Sequence, residues 1–385
     1  MLVSRVLSLA MIAAFAAAAL ASGLDRVSAQ APGLAGLVPV PFRAQADRSA
    51  AGTALDRKDN AAALASSRDA VATDPVDPDA TAFLGSALME VGRTQDAART
   101  FRVAAQFGWR NVQTQAFWYD AALQAGDYGV AAERLDALLR VHTRLVDQTE
   151  LLKPMESDPA AQKALAARLQ LAPPWLPAYL RVDDDTPSDV IDRRLLVMAQ
   201  LNASHVPIGC DTAAPFARTL LDDGRRHDAE TVWNANCPNM KVAGLISDPT
   251  FAHVLDPNAK NPFSWRVMSS GNLSIGQGPS GGPPTLIVSN SAPGARLAFL
   301  QTVALPVGTY HFHANQGAGP ASAGKLYISW ACDTKPPFPD TSGADLLGSG
   351  QDIHVTECDR QQIGLWVAGG GAPVRLQSIT LEKIG

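Results

Sequence analysis

The stretch GTYHFHANQG, residues 308–317, sets His311 and His313 two positions apart in a run of strand-forming residues, in a chain with 7 histidines among 385 residues. Side chains alternate between the two faces of a strand. Both imidazoles therefore share a face with Thr309 and Asn315, while Tyr310, Phe312 and Ala314 turn toward a core. Three chemistries are open to such a pair: metal ligation, proton transfer, or hydrogen bonding on a binding surface. In QIGLWVAG the same alternation buries Ile363, Leu365 and Val367 and turns Trp366 outward. In KLYISWACD it buries Leu326, Ile328 and Trp330 and turns Tyr327 outward. An outward aromatic plane beside hydrogen-bonding groups suits a sugar ring, whose C–H face stacks while its hydroxyls find polar partners. Trp366, Tyr327, His311, His313 and Asn315 are thus the candidate carbohydrate-binding residues. The competing reading has the helical part of the chain packing over this face. His-x-His supplies two metal ligands and only His354 is a further candidate nearby in sequence, so no metal and no cofactor are expected.

Motifs for catalysis are absent: there is no G-x-S-x-G, no H-E-x-x-H, no glycine-rich phosphate loop and no zinc-ligand spacing. Asp183, Asp184 and Asp185 precede TPSD, where Thr186 or Ser188 suits a helix cap near Val190. No catalytic residue is assigned and a non-enzymatic protein is expected. A polysaccharide-modifying enzyme stands as an alternative, since two carboxylates can converge from distant segments without a motif.

The N-terminus carries Arg5 before the apolar run VLSLAMIAAFAAAALA and then small residues, the pattern of a secretory signal peptide. Ala19-Leu20-Ala21 and Val27-Ser28-Ala29 both offer cleavage sites; the second is favoured because polar residues separate it from the apolar core. An uncleaved anchor is the other reading. After cleavage no transmembrane segment remains, and the expected location is periplasmic or secreted. The net charge of −5 becomes one unit more negative when Arg5, Asp25 and Arg26 leave. A mildly acidic chain argues against a nucleic-acid partner. Four cysteines in an exported chain point to disulfides, and one bridge per part pairs Cys210 with Cys237 and Cys332 with Cys358.

These residues need elements to position them. From about 44 to 255 the chain is rich in Ala, Leu, Asp and Arg at helical spacing; from about 261 it turns to Gly, Pro, Ser, Thr, Val and aromatics in short alternating runs. Residues 30–43 hold three prolines and two glycines and read as an extended lead-in. Gly92 and Gly126 lie 34 residues apart, followed at equal offsets by Ala97 and Ala131 and by Phe101 and Leu135. One period earlier come Lys58 and Ala63. With Thr81, Leu84, Gly85, Leu88 and Ala104 this resembles the tetratricopeptide repeat over about 44–145, although Ser67 stands where an aromatic is expected and Tyr119 where a small residue is. The resemblance implies a superhelix of hairpins whose groove takes a protein partner, with Arg93, Arg99, Arg102 and Arg110 as candidate lining. A looser hairpin recurs at 211–237 around Gly224, Ala229 and Trp233, within a further helical region spanning 146–258.

The run LQTVALPVGTYHFHA, with Gln301, Val303, Leu305, Gly308 and Tyr310, and a late LQSITLEKI strand, resembles carbohydrate-binding-module and galactose-binding-like domains. That resemblance implies an antiparallel jelly-roll β-sandwich over 259–385. The expected fold is multidomain α + β: a signal peptide at 1–29, helical hairpins, then the sandwich. The expected function is a periplasmic scaffold engaging a protein through its repeats and a carbohydrate or polysaccharide through its sandwich, in envelope polysaccharide synthesis or export. A pure protein scaffold without sugar affinity is the first alternative.

Overall fold

The computed structural model describes residues 2–183, 185–242, 244–256, 261–268, 271–278, 285–317, 321–332, 335–341, 345–358 and 360–384. Asp184 and the composition change at 257–260 lie outside them. The chain is helical through its first two-thirds and forms antiparallel sheets thereafter. It divides into two compact units, Met1–Arg168 and Leu169–Gly385.

In the first unit the apolar helix α1 (Leu2–Ser28) leads into residues 30–43. These do not run extended as expected but coil into 3₁₀ turns at Pro32–Leu37 and Val40–Phe42. The fixed φ of proline is as compatible with the first residue of a helical turn as with extended chain. Three helical hairpins follow: α2 (Ala44–Asp56) with α3 (Asn60–Thr73), α4 (Pro78–Glu90) with α5 (Thr94–Ala104), and α6 (Val112–Gln124) with α7 (Tyr128–Val141). Then come α8 (Thr149–Ser157) and α9 (Pro159–Leu169).

One device closes each hairpin. Lys58, Gly92 and Gly126 take left-handed φ values of 56°, 75° and 70°. The next amide in each case returns to a carbonyl five residues back: Asp59 to Ala54, Arg93 to Leu88 and Asp127 to Ala122, at 2.8–2.9 Å. This is the Schellman arrangement that satisfies the last carbonyls of a helix. The 34-residue period is therefore a period of left-handed turns. Ala63, Ala97 and Ala131 are fully buried, and a Cβ on Gly85 would lie 2.9 Å from the Phe101 ring. Small residues thus stand where the helices approach. Ser67 and Tyr119 are both buried, and the Tyr119 hydroxyl donates to the Leu151 carbonyl at 2.7 Å.

The second unit opens with α10 (Leu176–Tyr179), α11 (Ser188–Ala203), α12 (Cys210–Asp222) and α13 (Arg226–Asn236). Between the last two, Gly224 (φ 76°) and the Arg225 amide returning to Leu220 repeat the hairpin closure. The Cys210–Cys237 disulfide bridges the ends of that hairpin, as expected.

The strands are β1 (Arg266–Val267), β2 (Leu273–Gln277), β3 (Leu286–Asn290), β4 (Arg296–Val303), β5 (Gly308–Asn315), β6 (Leu326–Cys332), β7 (Gln351–Val355), β8 (Gln361–Val367), β9 (Val374–Leu376) and β10 (Ser378–Lys383). They form three antiparallel sheets ordered β1-β4-β8-β6, β10-β5-β7 and β2-β3-β9 around one apolar core. The Cys332–Cys358 disulfide is also present.

The motif residues at 301–310 each have a structural task. Gln301, buried, accepts from the Ser247 amide at 3.2 Å and donates to its carbonyl at 2.6 Å. Val303 and Leu305 are core residues, and the Leu305 backbone is held in the same two-way fashion by Gln361. The buried Tyr310 donates its hydroxyl to the Pro306 carbonyl at 2.7 Å. Helical and sheet parts of this unit share further contacts. Arg226 on α13 is buried, pairs with Glu230 at 2.8 Å and donates to the Thr302 carbonyl at 2.7 Å. Ile246 and Phe251 belong to the same core as the strands, with Phe251 stacked on Trp265.

A fragment starting at residue 261 lacks Arg226, Ser247 and Phe251. It is expected to lose cooperative unfolding in a denaturant titration followed by circular dichroism, whereas residues 169–385 unfold in one transition.

Candidate functional site

The predicted strand alternation holds in β5: Tyr310, Phe312 and Ala314 are buried, while Thr309, His311 and His313 are partly open and Asn315 is exposed. Across the sheet, His311 stands between Glu382 of β10 and Asp352 of β7, Thr309 beside His354, and His313 beside Thr380. The His311 Nδ1 and Asp352 Oδ1 atoms are 2.6 Å apart. On the other side of the ring, a Cβ on Gly350 would fall 2.3 Å from Nε2. Gly350 also has φ 77°, so both the space and the backbone require glycine there. The ring is clamped between a carboxylate and a tight turn. Among the described residues, no three His, Cys, Asp or Glu side chains gather to hold a metal ion.

Trp366 and Tyr327 are directly opposed on β8 and β6, in a different sheet. They point away from the core that Ile363, Leu365 and Val367 enter, just as His311 and His313 point away from it on β5. The five candidate residues therefore do not form one platform: the aromatic pair and the β5 polar set sit on the outer faces of separate sheets.

The aromatic pair is also less open than alternation implies. Tyr327 is buried at 5% exposure, and Trp330, expected inside, is only half-buried. Both faces of β6 are covered, so burial does not alternate along it. Trp366 is half-buried; its Nε1 donates to Ser329 Oγ at 2.8 Å and its ring meets Phe338 edge-on at a centroid distance of 5.4 Å. Pro336 lies against Gly364, where an added Cβ would be 3.0 Å away. The segment following Cys332 is thus the cover that the outward tryptophan needs. His313 and Asn315 instead border an open groove of about 550 Å³ with Thr250, Gln316, Gln377 and Ser378. Amide and hydroxyl side chains of Thr250, Asn315, Gln316, Gln377 and Ser378 and the His313 imidazole line it together with Ala314, Gly317 and Leu347.

A second site lies in the first unit, around Arg110, one of the four arginines expected to line a groove. Gly108 (φ 118°) turns the chain after α5, and Asn111 caps α6 by accepting from the Thr114 amide at 2.8 Å. Trp109 and Arg110 are held between these fixed points. Trp109 remains half-exposed, and the Arg134 guanidinium lies 4.0 Å from its ring centroid. Arg134 also donates to Gln115 Oε1 at 3.0 Å. Burial lowers the Arg134 pKa, an effect the Glu133 carboxylate opposes. Trp109 and Arg110, with Glu133, Asp136, Ala137, Arg140, Val141 and Arg168, line an open cleft of about 600 Å³. Arg168 pairs with Glu133, and Arg140 with Asp136 at 2.8 Å. Among the described residues the lining carries Arg110, Arg140 and Arg168 against Glu133 and Asp136, a net positive charge, while Arg134 backs the indole. Arg93 and Arg99, expected to line a groove, border a separate open pocket of about 370 Å³, where both pair with Asp96.

The sequence feature at this cleft is the run Gly108-Trp109-Arg110-Asn111, a turn, an aromatic, a cation and a cap in succession, but it carries no sign of the wall formed by Glu133, Arg140 and Arg168. No family model matches the chain, and no curated protein matches it in sequence.

Because Trp366 is hydrogen-bonded and partly covered, Trp366→Ala is expected to destabilise the second unit by about 2–3 kcal/mol, less than the ~3–5 kcal/mol of truncating a fully buried tryptophan because the ring is only half-buried. Chemical denaturation measures it.

Proposed function

We propose that this is an exported, non-catalytic scaffold of the periplasm whose tetratricopeptide-like hairpins hold a protein partner in the Trp109 cleft. The observation that carries this reading is the half-exposed Trp109 beside Arg110 in a concave site whose lining holds more arginines than carboxylates. An indole supplies contact area at small entropic cost, and guanidinium groups pair with carboxylates through two parallel hydrogen bonds. The ligand chemistry that fits is an extended segment carrying a carboxylate next to an apolar side chain. The apolar helix α1 is compatible with a signal peptide, and two disulfides fit an oxidising compartment.

The jelly-roll-like second part supports a second contact, with carbohydrate. The groove beside His313 and Asn315, rather than Trp366, is the place for it, because its side chains suit hydroxyl groups and, among the described residues, nothing covers it as Phe338 covers the aromatic face. This polar site has no stacking ring, so it fits weak, repeated contacts along a polysaccharide.

Affinity capture from envelope extracts with the full exported chain tests the first contact. Trp109→Ala and Arg110→Glu should each reduce recovery of the partner about tenfold or more, the loss expected of a central anchor, without changing the melting temperature. Equal recovery by both variants would refute the cleft.

A further inference from the structure

The two ends of α1 behave differently. From Val6 to Leu20 its side chains are almost all exposed, Phe15 at 76% and Leu20 at 75%. From Ala21 onward one face is docked: Ala21, Asp25 and Ser28 are buried and Leu24 partly so, the spacing of a single helical stripe. This stripe rests against the 3₁₀ turn at Pro32–Leu37 and against α2.

The docked segment does more than pack. Helix α2 begins after Arg43, whose side chain makes no capping bond. The first amides of a helix have no partner within it and need one from outside. Asp25 supplies it: its two carboxylate oxygens accept from the Gln45 amide at 3.0 Å and the Ala46 amide at 2.9 Å. These are the second and third helical residues, the amides that an N-cap side chain serves. A carboxylate is also the favoured charge at that end of a helix. Asp25 is 5% exposed, and the Ser28 hydroxyl, also buried, donates to the Asp25 carbonyl at 2.6 Å. A cap delivered from twenty residues upstream makes residues 22–29 part of the first hairpin.

We propose that the chain is processed between Ala21 and Ser22, and that Asp25 is retained in the mature protein as the cap of α2. The change from exposed apolar to docked residues along α1 falls at Ala19-Leu20-Ala21, which has the small-x-small pattern of a signal-peptidase site. Cleavage after Ala29, favoured by the sequence alone, removes Asp25 and Ser28 and leaves two helix-terminal amides without their partner. This inference is independent of any ligand.

N-terminal sequencing and intact mass of the chain, expressed with its own leader in a Gram-negative host and purified from the periplasm, give the direct test. A mature start at Ser22 is expected. A start at Gln30, or a chain retaining Met1, overturns the proposal. In protein that starts at Ser22, Asp25→Ala should lower the melting temperature by about 3 °C, the size expected for loss of one cap in a unit of this length. Arg26→Ala, on the exposed side of the helix, should leave it unchanged. An unaltered melting temperature for Asp25→Ala would mean that the cap does not form in the mature protein, and would equally overturn it.

Discussion

A single carboxylate ties the hairpins of the first unit together. Asp79, at the start of α4, accepts from Asn111 Nδ2 at 2.8 Å and lies 3.5 Å from Arg48 on α2, which also pairs with Asp77 at 3.1 Å. Asp77 and Asn111 are in turn the caps of α4 and α6. Each hairpin thus anchors the start of the next through groups that already serve as helix caps. Since a hairpin buries only one face by itself, such links decide how successive copies stack. They also decide where Trp109 goes: it is fixed because Asn111, two residues on, is bonded both to its own helix and to the preceding hairpin.

What the sequence made legible follows from local rules. The left-handed turns could be found because glycine recurs at 92 and 126, and the same spacing located Lys58, a residue that gives no sign of such a conformation by type. Alternation in β5 was legible because one face is core and the other open. It failed in β6 because Pro336 and Phe338, just beyond the strand's end, fold back over the second face of its sheet against Gly364 and Trp366. The Trp109 cleft was invisible for a related reason: its wall comes from Glu133, Arg140 and Arg168, and no spacing rule joins these to the loop at 108–111. Both disulfides were legible, since four cysteines in a chain expected to be exported, taken as one bridge per part, left a single natural pairing.

In the second unit the change of composition near residue 259 marks a change of secondary structure, and bonded groups connect the two sides of it. Gln301 and Arg226 are the clearest cases. A buried amide or guanidinium is costly unless its hydrogen bonds are met, so each makes the neighbouring backbone part of its own solvation. Gln301 requires residue 247, and Arg226 requires residue 302. The strand motif that resembles carbohydrate-binding domains therefore works here as a seam between helices and sheet as well as a lead from one strand to the next.

The pairing pattern also sets an order in time. In the first unit each helix finds its partner in the next helix along the chain, so the loops to be closed are short. In the second, β4 pairs with β8 and β3 with β9, strands separated by most of the sheet region. Contacts of long sequence separation carry a larger closure cost and form slowly. A chain emerging from its N-terminus can complete the helical hairpins while β8 and β9 are still absent, and β4, an inner strand of its sheet, waits with one edge unpaired. The slow, vulnerable interval of folding thus belongs to the C-terminal sheets.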